Sequence, residues 1–418
     1  MGPSSRALLL LLATARPGSL GAQTLADSLK ISLGGEIRVR HEVDARTSGV
    51  GTDQATLLRS RLSARVHARE GVGAFFQISD SRAFGEEQST LTDASADRID
   101  VHQAYLSWAP TDRIELRLGR QEIAFADERL VGAVNWANVS RAFDGLRASA
   151  KAGPWTIDGF GAVLREGDAL LGTGLDPRTN QDRNQDRTLY GVWASSKRAD
   201  LFALAERNAT DGQGGSDIDR FTLGGYGRLD TGRFVGRTTL AVQLGRRSSA
   251  DSSRQDIRAY IVSAALAYRL PTTVAGELGA QIDLLSGDRS TGDGNFGAFN
   301  TLYATNHAFY GYMDLWLDIP KQTGGLGLVD LIGRGSAQPG EWTLRVDLHH
   351  FRLARSPQAG SRSIGTELDL TLTRPLAPGL DLRAGYSLFA PSAAAGPPPI
   401  SLGGDVLHWA YLQTRMHF

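Results

Sequence analysis

The sequence predicts an all-β chain, an 18-stranded antiparallel transmembrane β-barrel with short turns at one end and long loops at the other. Three observations carry that prediction. In Leu57–Arg69 the residues Arg59, Arg61, Arg65, His67 and Arg69 share one parity and Leu58, Leu62, Ala64, Val66 and Ala68 the other, which is the two-faced pattern of a strand. No helix or second sheet is evident to cover the apolar face, so lipid is the cover and a watery lumen takes the basic face. The connections between such segments alternate in length along the chain. No later apolar run approaches the roughly 20 residues of a transmembrane helix, so any span must be built from strands.

Period-2 reading places strands near residues 29–42, 55–69, 72–82, 98–109, 112–122, 141–151, 154–165, 187–197 and 200–208. Nine more fall near 218–229, 234–246, 256–270, 273–285, 325–335, 341–354, 363–374, 380–390 and 405–418. Short connections lie at REGV (69–72), WAPTD (108–112), KAGP (151–154), SKRAD (196–200), LDTGR (229–233), RLPTT (269–273), SAQPGE (336–341) and RPLAPG (374–379). Longer loops alternate with them, the largest from about 286 to 324. With both termini periplasmic, 18 strands need eight turns and nine loops, as the spacing supplies. A soluble sandwich, β-helix or propeller would show a motif repeat or evenly short connections, and the sequence has neither.

Residues 1–22 read as a secretory signal peptide: Arg6, an apolar core from Ala7 to Ala13, and small residues at Gly21 and Ala22, after which cleavage is expected. Residues 23–418 then form one barrel domain. The chain has 45 basic and 45 acidic residues; removing Arg6 and Arg16 leaves 43 against 45, which argues against a nucleic-acid protein. Cysteine is absent, which excludes a disulfide scaffold, thiol catalysis and thiolate metal sites. Forty-one of the basic residues are arginine. Guanidinium reads carboxylates with two parallel bonds, although a GC-rich coding sequence would also enrich arginine, so position on the strands is the better evidence.

With the apolar parity in lipid, the lumen receives Glu36, Arg38 and Arg40, the series Arg59 to Arg69, Glu115, Arg117, Arg147 and Lys151. Later strands add Glu277, Asp283, Arg345, Asp347, Glu367, Asp369, Asp381, Arg383 and Arg415. An 18-stranded barrel is wide enough for an aqueous channel. These arginines either attract anionic solutes or form a ladder of ion pairs that holds the barrel round and selects nothing. The connection RQEIAFADERLVGAVNWANVSRAFDG (120–145) is rich in apolar residues for a loop in water: Ile123, Phe125, Leu130, Val131, Val134, Trp136, Val139 and Phe143. Folded inward over about 121–140, it would form a constriction bearing Asp127, Glu128, Arg129, Asn138, Arg141 and Asp144.

This segment resembles the alginate-export family of outer-membrane proteins. The resemblance rests on Gly119-Arg120-Gln121, on Arg129, Leu130 and Gly132, on Trp136 and Asn138, and on Arg141, Phe143, Asp144 and Gly145. It continues through NHAFYGYMDLW (306–316), HHFRLA (349–354), GTELDLTL (365–372) and WAYLQ (409–413). One departure is Ala126, where the family pattern has glycine. The last segment, ending on Phe418, resembles the terminal strand of bacterial outer-membrane proteins, whose final aromatic belongs to the signal read by the barrel-assembly machinery.

The resemblance implies a monomeric outer-membrane barrel that passively conducts an anionic polysaccharide such as alginate, or smaller anionic sugars. The expected site comprises Arg120, Arg129 and Arg141 as constriction cations and Asp127, Glu128 and Asp144 as their orienting or gating partners. Asn138 stands on the same loop, Trp136 and Phe143 anchor it, and Arg59, Arg61, Arg65, Arg147 and Arg345 line the wall. Expected partners are outer-membrane lipid, lipopolysaccharide, the assembly machinery and an anionic sugar, with no nucleic acid and no cofactor. A general diffusion porin is the alternative function. A barrel enzyme is disfavoured: there is no G-x-S-x-G, and His349 and His350 are adjacent and must face opposite sides of a strand. Asn180, Asp182, Asn184 and Asp186 have calcium-loop spacing, but Arg187 and Trp193 stand where that loop needs glycine and glutamate. An energy-coupled transporter would need a plug before the barrel, and the interval after Ala22 is short; the long 286–324 loop could instead cap or fill the lumen.

Overall fold

The computed structural model describes residues 29–46, 51–85, 99–165, 187–208, 217–248, 253–272, 274–288, 290, 292–357, 361–392 and 404–418. The expected signal peptide and the Asp182 to Asp186 loop fall outside these residues.

Eighteen long strands form one sheet: β1 Lys30–Ala45, β2 Asp53–His67, β3 Val72–Ala83, β4 Ile99–Thr111, β5 Ile114–Gln121, β6 Phe143–Ala152, β7 Trp155–Arg165, β8 Arg187–Ser195 and β9 Ala199–Asn208. The circuit continues through β10 Ile218–Asp230, β11 Phe234–Ser248, β12 Arg254–Arg269, β13 Ala275–Leu285, β15 Leu328–Gln338, β16 Thr343–Leu353, β17 Ser363–Ala377, β18 Leu380–Pro391 and β19 Leu407–His417. Each pairs antiparallel with its neighbours, and β1 pairs with β19 from Glu36↔His417 to Ala45↔His408, so the sheet is closed. Closure leaves no unpaired edge in lipid. The two-residue β14, Asn295–Phe296, is not a stave; it runs parallel to β12 within the long loop 286–327. The expected strand count and order are therefore observed. One boundary moves: β2 ends at His67, so Arg69 lies in the turn Arg69–Gly71 and not on the lumen wall.

Parity separates the two faces as the sequence requires. Leu33, Leu62, Leu106, Leu118, Leu201, Phe221, Leu240 and Leu278 are exposed on the outside, where water would penalise them and hydrocarbon does not. The opposite face carries Arg38, Arg59, Asp158, Asp200, Glu206, Asp283, Asp330, Asp347 and Glu367, all buried. The apolar core also lies inside the barrel. Ile123, Phe125, Leu130, Val131 and Phe143 from the β5–β6 region join Phe299, Tyr310, Met313, Trp316 and Ile319 from loop 286–327 and wall aromatics such as Trp193, Phe351 and Trp409. Two loops thus fill part of a lumen that the strands alone would leave open.

If the outward row lies in hydrocarbon, Leu240→Arg near the middle of β11 destabilises the barrel by about 2–4 kcal/mol. Urea unfolding from phospholipid vesicles reads this, and an unchanged midpoint would contradict lipid exposure of that face.

Candidate functional site: two inserted loops and an arginine wall

The inward course of loop 122–142 is set by its contacts with a basic wall. Register places Arg38 of β1 directly between Arg59 of β2 and Arg415 of β19. Like charges in neighbouring cross-strand positions repel. The loop offers carbonyl oxygens to them: Arg38 donates to Asn135 O at 2.9 Å, Trp136 O at 3.1 Å and Ala137 O at 2.9 Å. Arg40 donates to Trp136 O at 2.9 Å, and Arg59 donates to Asn135 O at 3.0 Å and Ala137 O at 2.9 Å. Arg59 also pairs with Glu36 at 2.7 Å. Asn138 completes the clamp by donating its amide to Leu58 O and Arg82 O, both at 3.3 Å. The Trp136 ring is held between the Arg40 guanidinium, 4.2 Å from its centroid, and the His307 ring, stacked at 4.3 Å.

The second inserted loop, 286–327, binds the first. Gly132 N donates to Tyr303 O, Tyr303 N to Leu130 O and Thr305 N to Glu128 O, each at 2.9 Å. The Glu128 carboxylate accepts from Ala133 N and Thr305 Oγ1. Gly132 is required here, because a Cβ would stand 2.5 Å from both Glu128 Oε2 and Thr305 Oγ1. On the far wall Asn300 exchanges bonds with Gln243 of β11, and Tyr303 donates its hydroxyl to Glu206 of β9 at 2.8 Å. Met313 N donates to Glu367 Oε1 and Tyr312 N to Asp369 Oδ2 on β17. Burial pushes the Tyr303 and Tyr310 phenols up, so both remain neutral; Tyr303 donates to Glu206, and Tyr310 accepts from Arg129 at 3.4 Å.

The expected constriction cations are corrected by this geometry. Arg120 and Asp144 are register partners on the outward parity, beside exposed Leu118 and Leu146, and their charged groups are 3.7 Å apart on the outside of the barrel. Parity decides this: the lumen side of β5 is read by Arg117 and Gln121, not by Arg120. Arg129 points inward but is buried against Asp283 at 2.9 Å, with Asp127 at 3.8 Å. Those carboxylates hold its guanidinium above its ordinary range although burial opposes charge. Removing one partner of such a pair costs about 3–5 kcal/mol. Arg141 donates to Tyr303 O and lies 5.7 Å from that ring, and burial lowers its guanidinium. The family motif is thus mainly the framework of the paired insert. Phe143 seals it, meeting Tyr303 edge to face at 6.0 Å.

Beneath the insert lies a cavity of about 560 Å³. Its charged lining comprises Arg38, Arg59, Arg61, Arg345, Arg383 and Arg415 against Glu36 and Glu122. Arg61 donates one nitrogen to Asn135 Oδ1 at 3.1 Å, while its Nε and Nη2 and the Nε of Arg383 have no hydrogen-bond partner. Buried donors without partners are costly, about 1–3 kcal/mol each, and Arg61 has Glu122 at 3.8 Å as its nearest carboxylate. Burial would raise the Glu122 carboxyl, but His102 at 2.7 Å and Arg61 outweigh it and hold Glu122 below the usual carboxylate range. Gln77, Gln103, Gln413, His307, Tyr312 and Tyr411 supply the rest of the polar and aromatic lining.

The remaining expected residues divide between the two roles. Arg345 lines this cavity and a smaller one of about 170 Å³ that also holds Asp127, Arg237 and Arg334, yet it pairs with Asp347 at 2.8 Å. Arg147 pairs with Asp158 at 2.9 Å, and Arg65 covers the Phe75 ring at 4.6 Å. Arg38, Arg383 and Arg415 fall on the lumen face by parity, but only the register shows that they share one chamber with Arg61. His349 faces inward, 2.8 Å from Asp330, and His350 faces outward to Thr366 at 3.1 Å, the split that adjacency predicts. Among the described residues no group of three or more histidine or acidic side chains is arranged to hold a metal ion.

Residues 29–316 match the family model described as alginate export. The chain belongs to the alginate-export family. Its fold is also similar to solved porins. The OccK2 (OpdF) structure from Pseudomonas aeruginosa, determined with glucuronate, is 14% identical at a TM-score of 0.59, covering 93% of this chain and 98% of that one. The OpdK structure with vanillate from the same organism is 12% identical at 0.57, covering 94% and 99%. A BenF-like porin from Pseudomonas fluorescens Pf-5 is 10% identical at 0.59, covering 93% and 98%. No curated protein matches the sequence. The family member is an outer-membrane β-barrel channel with a porin-like fold.

Ala126, the departure from the family pattern, has φ +50°, a left-handed conformation that costs an L-residue roughly 1–2 kcal/mol. Ala126→Gly should therefore stabilise the barrel by about 0.5–1 kcal/mol after glycine's extra chain entropy is subtracted. The midpoint of denaturant unfolding checks this, and a fall in stability would contradict it.

Proposed function

We propose that the barrel is a passive channel for small anionic, carbohydrate-like solutes, and that the chamber beneath the insert is its selective region. The observation that carries this reading is the convergence of six arginines on about 560 Å³, a positive excess that remains after Glu36 and Glu122 in the lining and Asp347 and Asp381 beside it are counted against them. An excess of fixed positive charge in a narrow aqueous path raises local anion concentration. Unmatched guanidinium nitrogens favour carboxylates in particular. That two fold relatives were solved with the monocarboxylates glucuronate and vanillate supports the same solute class.

A chamber of this volume has the scale of small-molecule sites, about 300–1,000 Å³, which favours single sugar acids over a continuous polymer strand. Export of an acidic polysaccharide such as alginate is the finer reading that the family name supplies. Arg61 and Arg383 are proposed as the solute-facing cations; Arg38, Arg59, Arg129 and Arg141 hold the loops, and Arg415 is paired with Asp381. The barrel is proposed to act as a monomer, exported by residues 1–22 and inserted by the barrel-assembly machinery through its last strand.

Reversal potentials in planar bilayers under a salt gradient test the reading. Anion selectivity is expected for the unmodified barrel, reduced several-fold in Arg61→Ala/Arg383→Ala, with glucuronate reducing the chloride current. Weak selectivity that the double substitution leaves unchanged would assign a general diffusion porin instead.

A further inference from the structure

The outer rim carries a charge ladder that the channel does not use. On the outward parity of β9 to β12, register aligns Arg207↔Asp219, Asp219↔Arg246 and Arg246↔Asp256 in one continuous row across four strands. Arg258 follows on β12, one step closer to the barrel's middle, 3.4 Å from Asp256. Four strands at about 4.8 Å spacing make this row roughly 15 Å long. It lies at the end of the barrel that bears the long loops, which faces outward in barrels of this class.

The rows below fix its height in the membrane. The next outward row contains Ala205, Phe221 and Leu244, and the one after it Ala203, Leu223, Val242 and Tyr260. Phe221 and Leu223 are about half exposed, as are Leu244 and Val242, so these rows meet acyl chains. The ladder therefore stands where hydrocarbon gives way to headgroups. On the β18–β19–β1 side the outward rows near that rim hold Leu388, His408 and Ala45, then Tyr386, Ala410 and Val43. No guanidinium stands among them, and the outward Arg120–Asp144 pair on β5 and β6 spans only two strands, whereas the β9–β12 row spans four.

Its internal pairing is loose. Arg207 and Arg246 each approach an aspartate only to 3.9 Å, and all four of these groups are more than half exposed. Neither guanidinium makes a hydrogen bond to a described residue. A surface pair of this kind contributes about 0–1 kcal/mol, so stability gives little reason for the row. Its arginines alternate with aspartates just above an apolar surface, and with Arg258 they outnumber Asp219 and Asp256 three to two, which suits a ligand with phosphates above and acyl chains below.

We infer that the Arg207–Asp219–Arg246–Asp256 row, with Arg258, is a binding site for the phosphorylated disaccharide headgroup of lipopolysaccharide. The arginines take the phosphates as charge-assisted donors, and the row of Phe221, Leu223, Leu244, Val242 and Tyr260 takes the acyl chains. The inference rests on the outer-membrane placement of the barrel and is independent of which solute the pore conducts.

Native mass spectrometry of the folded barrel in detergent, titrated with bisphosphorylated lipid A, tests it. Binding roughly tenfold tighter than for dephosphorylated lipid A is expected, with that preference lost in Arg207→Gln/Arg246→Gln and retained in Arg352→Gln, an outward arginine on β16. Millimolar inorganic phosphate should not displace the lipid. Equal affinity for both lipids, an unaltered preference in the double variant, or full displacement by phosphate would each overturn the site. Heat-modifiable gel mobility reports folding of the variants, and Arg246→Lys, which keeps the charge, should retain the preference if the variant loss is electrostatic.

Discussion

Everything inside the barrel depends on backbone carbonyls meeting guanidiniums. Strand alternation forces Arg38, Arg40 and Arg59 onto one patch of lumen wall, and among the described residues only Glu36 and Glu42 pair with them there. The oxygens of residues 135–137 supply the missing negative potential. Hydrogen bonds to charged groups contribute about 1.5–3 kcal/mol each, enough in combination to draw a 21-residue loop out of water and into the lumen. Once seated, that loop presents Leu130 to Gly132 as a template for loop 286–327, and a lumen that would be a wide pore becomes a lined passage.

The arginines of this chain therefore fall into three kinds. Some hold loops, such as Arg38, Arg59, Arg129 and Arg141. Others are neutralised across the strands, as Arg147 is by Asp158 and Arg415 by Asp381. Arg61 and Arg383 keep unmatched donors in the chamber. The ion-pair ladder posed by the sequence is present on several strands, and the chamber arginines are proposed as the wall that reads anions. On the proposed reading, selectivity is carried by the charge that the ladder leaves over.

The staves were legible because lipid on one side and water on the other impose a strict period of two, and turn chemistry marks every other connection. The inward fold of the β5–β6 loop was legible from its apolar content. Placing Arg120 and Asp144 in the constriction failed because motif residues were read as one group, whereas parity along β5 and β6 turns those two outward. The role of Arg129 depends on Asp283, 154 positions away, and no local pattern announces that contact. The chamber needs the register of β1, β2, β18 and β19 together, which a single strand's alternation does not supply. Loop 286–327 carried a readable signal in its aromatics, Phe309, Tyr310, Tyr312 and Trp316, but its partner surface was specified only by the folded β5–β6 loop.

The division of labour among the arginines is tested most directly by single-channel recording of Arg59→Ala beside Arg61→Ala. Loss of the Arg59 clamp should free the 135–138 segment, giving flickering currents and a larger mean conductance. Arg61→Ala should keep a steady conductance level, because its guanidinium meets the loop through two side chains, Asn135 at 3.1 Å and Glu122 at 3.8 Å, and not through the carbonyls of 135–137. Steady, indistinguishable currents from both variants would contradict an insert held in place by the arginine wall.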